Sequence, residues 1–280
     1  MKKQIQIKRT IVCFFILSSI GFLTNCEREN ALINNSNIDY EQIGIEHNRG
    51  LDYIFEALKK EDFGNASELR NFDNIFELSK QATLDFSRES IITKDVDFDE
   101  LSSILQRFNL TKFKSAGTNE LTSEIASQIE LTSLQISFFN ELDEIISNLE
   151  IGLQPTIGKI LNLERDIIDK CNSDETKILL SATAIARYSL EYWTNNYEKW
   201  LNELSSNKVL GMYTSKDDDW EWFWDTLEDM GKSDLVGGAI GAGVGALAGG
   251  IGAAPGAVAG ACYASAGRGI VSLLDHWGVW

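Results

Sequence analysis

Apolar residues return at steps of three and four along most of the chain, which predicts helices. Leu51, Ile54, Phe55 and Leu58 mark the first, beginning near Tyr40. Leu69, Phe72, Ile75, Phe76 and Leu78 mark a second, and Asp62-Phe63-Gly64-Asn65 between them reads as a turn. A shorter segment spans Phe98 to Phe108. Leu121, Ile125, Ile129, Phe138, Leu142, Ile145 and Leu149 then trace one apolar stripe, predicting a single long helix from Asn119 to Glu150 that Gly152 and Pro155 terminate. Thr156 to Lys170 forms another helix. Asn172 begins an Asn-Ser-Asp-Glu capping box for a long helix from about Ser173 to Ser205. That helix carries Ile178, Ile185, Tyr188, Tyr192, Trp193, Trp200 and Leu204. Alternating strand-like segments do not compete, so the expected fold is all-α: a helical bundle with short connections.

Past residue 230 the pattern changes. Leu235 to Gly267 carries no charge and few large side chains. Gly237, Gly241, Gly245 and Gly249 are four apart, and Gly252, Gly256 and Gly260 follow after a step of three. Such spacing keeps small residues on one helix face and lets two helices approach backbone to backbone. A flexible linker would have no reason to hold that spacing, nor to include Ile240, Val244, Leu247, Ile251 and Val258. As one helix the tract would run about 50 Å, longer than a bilayer core requires. Pro255 offers a break, giving a Gly/Ala-rich helical hairpin with arms Leu235 to Ala253 and Gly256 to Leu274. Two placements fit it, in a bilayer or packed within the domain. Ala and Gly add little transfer free energy, so autonomous insertion is marginal.

This tract is a glycine zipper. It resembles the glycine-rich segments of class II bacteriocins and of glycine-zipper membrane proteins, which implies self-association or membrane activity. Trp220, Trp222 and Trp224 precede it. They are candidate interfacial aromatics, with burial in a core as the competing role. Asp217, Asp218 and Asp219 before them suit a helix N-terminus.

At the other end, Lys2, Lys3, Lys8 and Arg9 precede an apolar run from Ile11 to Leu23. This is the anatomy of a secretory signal. Leu23-Thr24-Asn25-Cys26 resembles a bacterial lipobox of the relaxed Bacteroidetes type, with Asn25 in place of the usual small residue. The resemblance implies cleavage after residue 25, palmitate-type acylation of Cys26 and a lipid anchor in the bacterial cell envelope, on the periplasmic or surface face of the outer membrane. The expected division is a lipoprotein signal peptide over 1–25, a polar Asn-rich tether over 26–39, a helical domain over 40–230 and the hairpin over 231–280.

The net charge of −17 argues against nucleic acid, which needs clustered cations. Cys171 and Cys262 remain after the signal and the acylated cysteine, and nothing in the sequence brings them together. Catalytic signatures are absent: no HExxH, GxSxG, Walker loop, strand-linked GxGxxG or zinc-spaced cysteines. His47 reads as a helix-start residue and His276 as a helix C-terminal one. The sequence therefore predicts no catalytic residue, no metal and no cofactor. Its functional expectation is a membrane-anchored binding or interaction protein, with a toxin- or bacteriocin-like protein that oligomerises through the zipper as the alternative.

Overall fold

A computed structural model describes residues 38–60, 72–93, 96–107, 120–206, 220–247 and 252–276. The signal, Cys26 and the tether through residue 37 lie outside the described residues, as do the turn at 62–65, the aspartates at 217–219 and Gly249. The described residues from Tyr40 on form one compact unit. Among the described residues the elements are all helical: α1 (Tyr40–Leu58), α2 (Phe72–Glu89), α3 (Phe98–Arg107), α4 (Glu120–Gln128), α5 (Ser133–Ile146), a 3₁₀ turn (Leu149–Ile151), α6 (Leu153–Lys170), α7 (Ser173–Ser206), α8 (Trp220–Leu247) and α9 (Ala253–His276). The fold is the all-α bundle with a C-terminal helical hairpin.

The capping box that opens α7 is formed in full. Asn172 Oδ1 accepts from the backbone N–H groups of Asp174 and Glu175, and Glu175 accepts the Asn172 N–H in return. The helix predicted over 119–150 is instead two, and a second capping box explains the break. Thr132 Oγ1 accepts from the Gln135 N–H, while Gln135 Oε1 accepts from the Thr132 N–H. Thr132 also donates to Glu175 Oε1 at 2.7 Å, tying the start of α5 to the start of α7. The apolar stripe continues across the break because α4 and α5 bury the same kind of face, so periodicity alone conceals a change of direction.

The two prolines of the chain occupy equivalent places. Pro155 and Pro255 each lie in the first turn of a helix, three residues after a glycine with positive φ: Gly152 at 99° and Gly252 at 84°. A first-turn residue has no intrahelical acceptor for its N–H, so proline fits there without loss. The hairpin therefore does not break at Pro255 as expected. Its first arm ends at Leu247, and the second begins at Ala253. The Gly252 N–H donates to the Gly245 carbonyl at 3.0 Å and closes the connection.

The hairpin forms the centre of the bundle. Every residue from Met230 through Gly245 is buried, as is every residue from Gly256 through Gly267. Helices α8 and α9 pack on each other and touch α1, α2, α3, α4, α5 and α7. A helix that is apolar all round must be surrounded, by protein or by lipid. Here the surrounding helices supply that cover. Helix α8 is continuous across position 230, so the tryptophan run and the first hairpin arm share one element.

Candidate functional site

The glycines predicted to lie on one face pair across the hairpin in strict antiparallel order. A Cβ built on Gly237 would meet Ala264 Cβ at 2.6 Å and collide with the Gly260 carbonyl. One on Gly241 would overlap the carbonyl oxygen of Gly256, and one on Gly256 that of Gly241. One on Gly245 would overlap the carbonyl of Gly252. Each step of four along one arm thus meets a step of four back along the other, and the backbones touch where side chains would otherwise separate them. Among the described residues the zipper is satisfied within the chain.

A second set of small residues, not legible as a zipper in the sequence, faces the wrapping helices. Gly231 abuts Leu190 and Gly238 abuts Ile185, both of α7, while Gly243 abuts Ile129. On α9, Gly269 lies under the ring of Trp193, with its missing Cβ 2.6 Å from Cη2. On α1, Gly50 makes room for the Cys262 sulfur. Cys262 is a fully buried free thiol whose Sγ lies 3.5 Å from the His47 carbonyl oxygen, and Cys171 is also free.

Of the candidate interfacial aromatics, Trp220 and Trp222 are in the first turn of α8, and their side chains lie outside the described ones. Trp224 is half-buried and edge-on to Phe223, 5.2 Å between centroids; Phe223 in turn packs on Tyr197.

The polar chemistry of the molecule lies where sequence reading placed none. His47 is a mid-helix residue of α1, not a helix-start residue, and is fully buried. Its Nε2 faces Asp234 Oδ2 of α8 at 3.6 Å, both side chains being wholly excluded from solvent. Ser189 of α7 and Ser265 of α9 both donate their hydroxyls to that same oxygen, Ser265 at 2.8 Å. The Trp193 indole N–H donates to Ser265 Oγ at 3.0 Å. Four helices therefore converge on one carboxyl. Burial drives the Asp234 carboxyl up to about 8, against the pull of its hydroxyl partners, and drives the His47 imidazole down to about 4.

Ser, His and Asp together invite comparison with a nucleophilic triad. The arrangement is different: the hydroxyls donate to the aspartate, whereas an activated serine must donate to the imidazole. All four polar residues are also enclosed in the core, where no substrate could reach them.

Two further polar clusters pin the bundle away from this carboxyl. Arg187 donates to Glu164 at 2.9 Å and to Glu41 at 2.7 Å, joining α7 to α6 and α1. Burial works against its charge, but the two carboxylates hold the guanidinium above its ordinary value. Lys232, at the base of the hairpin, reaches Asp143 at 2.9 Å and Glu228 at 2.8 Å. Among the described residues, no group of three or more His, Cys, Asp or Glu side chains is arranged to hold a metal ion. None of the described helices is long and apolar enough to cross a membrane.

Fold and site together define a class: a helical bundle folded around a buried glycine-zipper hairpin. Over residues 220–274, α8 and almost all of α9, the chain is similar to a family of unknown function, DUF6861. No curated protein and no solved structure matches the chain. The family resemblance covers the hairpin and none of the helices wrapped around it.

Proposed function

We propose that this protein is a lipid-anchored component of a bacterial cell envelope that acts by binding a partner through its helical domain, with the glycine zipper serving as the domain's internal scaffold. The lipobox-like Leu23-Thr24-Asn25-Cys26 supports the anchor. The scaffold reading rests on one observation: the zipper glycines spend their close-approach faces on each other, arm against arm, inside a cover of amphipathic helices. A zipper engaged in this way leaves none of those faces for a second copy unless the bundle opens.

The toxin-like alternative takes its support from the same hairpin, uncharged over 33 residues and resembling bacteriocin segments. It requires the wrapping helices to leave α8 and α9 and re-cover them with lipid.

The anchor is tested by labelling cells with radioactive palmitate. The wild-type chain takes up label and fractionates with membranes, because two or three acyl chains attach far more firmly than one. Cys26→Ser removes the label and releases the protein into the soluble fraction. Equal labelling of wild type and Cys26→Ser would sink the proposal.

A further inference from the structure

We propose that His47 and Asp234 hold one proton between them in the closed bundle, carried on the Asp234 carboxyl, and that this proton latches the hairpin to α1 and α7.

Hydrogen-bond geometry sets the imidazole tautomer and places a proton between the two groups, and burial assigns that proton to Asp234. Asn48 Nδ2 donates to the Tyr188 carbonyl at 3.1 Å, which fixes the orientation of that amide. Its oxygen therefore faces His47 Nδ1, 3.0 Å away, and can only accept, so Nδ1 carries the imidazole proton. On the neutral ring that burial favours, Nε2 is then a bare lone pair, buried and without a hydrogen-bond partner. It confronts Asp234 Oδ2, which already accepts from Ser189 and Ser265. Two lone-pair-bearing atoms facing each other in a dry core repel unless a proton lies on one of them. A neutral carboxylic acid beside a neutral imidazole satisfies the site, while a bare carboxylate would leave a full buried charge with hydroxyl partners alone.

The groups around the pair do not supply a compensating charge. On α1, Glu46 is fully buried and paired with Arg49. On α9, burial holds the Cys262 thiol protonated. On α7, the Tyr192 hydroxyl is turned to Asp52, and burial keeps it neutral. On α8 itself, Lys232 is turned to Asp143 and Glu228.

The two buried groups have opposite effects on stability. Asp234 is raised from 3.8 to about 8, so the closed bundle holds its proton where the open chain does not. Its contribution is full in acid and lost as pH rises through 8. His47 is lowered from 6.5 to about 4, so the open chain holds a proton the closed bundle refuses. Its contribution is full above 6.5 and lost as pH falls to 4. Between about 4 and 6.5 both states bind one proton, and the effects cancel: opening moves the proton from Asp234 to His47. Above 6.5 opening releases it to solvent. The latch is thus indifferent to acid and loosens in mild alkali, about 30-fold between pH 6.5 and 8.

NMR of the full-length chain tests this directly, because His47 and His276 are its only histidines. His47→Gln assigns the resonances by deletion. In the wild type, the His47 ring is expected to titrate near pH 4, and one aspartate carboxyl carbon, missing in Asp234→Asn, to stay protonated at pH 7. Denaturation of Asp234→Asn should expose the imidazole's effect alone. Relative to wild type, its unfolding constant rises about 300-fold as pH falls from 6.5 to 4. A His47 midpoint near 6.5, or an Asp234 carboxyl ionised at pH 6, overturns the proposal. His276→Gln leaves His47 as the one histidine signal, so the His47 midpoint is read without any substitution in the core.

Discussion

Gly241→Val is expected to lower the stability of the domain by about 3 kcal/mol or more, at the severe end of overpacking. The new side chain would enter the carbonyl of Gly256, and backbone cannot rotate away as a side-chain tip can. Relief requires α8 and α9 to separate. Separation would also pull Gly237 from Gly260 and Gly245 from Gly252, since all three contacts depend on one interhelical distance. For a domain of this size the loss corresponds to a drop in Tm of roughly 10 °C. Gly158→Ala in α6 is the matched control. It has nothing within 4 Å of the added methyl group and should be neutral or stabilising by about 0.5–1 kcal/mol. Thermal melts of both variants, followed by circular dichroism, decide the point. Equal melting temperatures for Gly241→Val and wild type would mean that the arms are not in contact.

Trp193→Ala is expected to cost about 4 kcal/mol, the usual range for emptying a large aromatic site. Trp193 is fully buried, sits 5.2 Å from the Trp200 ring and covers Gly269. It also supplies the N–H that orients Ser265 toward Asp234. Trp193→Phe separates these roles. It keeps most of the apolar contact but leaves Ser265 without its donor, for an expected cost of about 1–2 kcal/mol. Urea denaturation of the two variants measures the difference. If Phe were as damaging as Ala, the indole N–H would matter more than the ring it belongs to.

Local signals carried much of this architecture. Asn172 and Glu175 mark the start of α7 to the residue, because a capping box is complete within four positions. The spacing of Gly237, Gly241 and Gly245 likewise identifies a close helix contact, and their partners Gly260, Gly256 and Gly252 repeat the spacing. The division of 119–150 into two helices escaped because Thr132 and Gln135 do not interrupt the apolar period that suggested one. The polar core escaped for a different reason. His47 and Asp234 are 187 positions apart, and each sits among residues that explain it locally as an ordinary helix position. Only the convergence of α1, α7, α8 and α9 gives either of them a role. The second face of α8 was hidden similarly, since Gly231, Gly238 and Gly243 match the shapes of Leu190, Ile185 and Ile129, and no period records that match.

Surroundings give an uncharged helix its meaning. Composition alone suits α8 and α9 equally to lipid and to a protein interior. Burial on every side from Met230 through Gly245 places the first arm in the interior, and its polar base at Asp229, Lys232 and Asp234 is held by Arg268, Asp143 and the Ser189–Ser265 pair.

Amide hydrogen exchange of the full-length protein, with and without anionic liposomes, tests the hairpin's place most directly. With the hairpin as the bundle's core, amides of 230–245 and 257–270 exchange only through global unfolding and are the slowest in the chain, liposomes present or not. Exchange of those amides within minutes in solution, slowed only when liposomes are added, would contradict it and show a hairpin whose partner is the membrane.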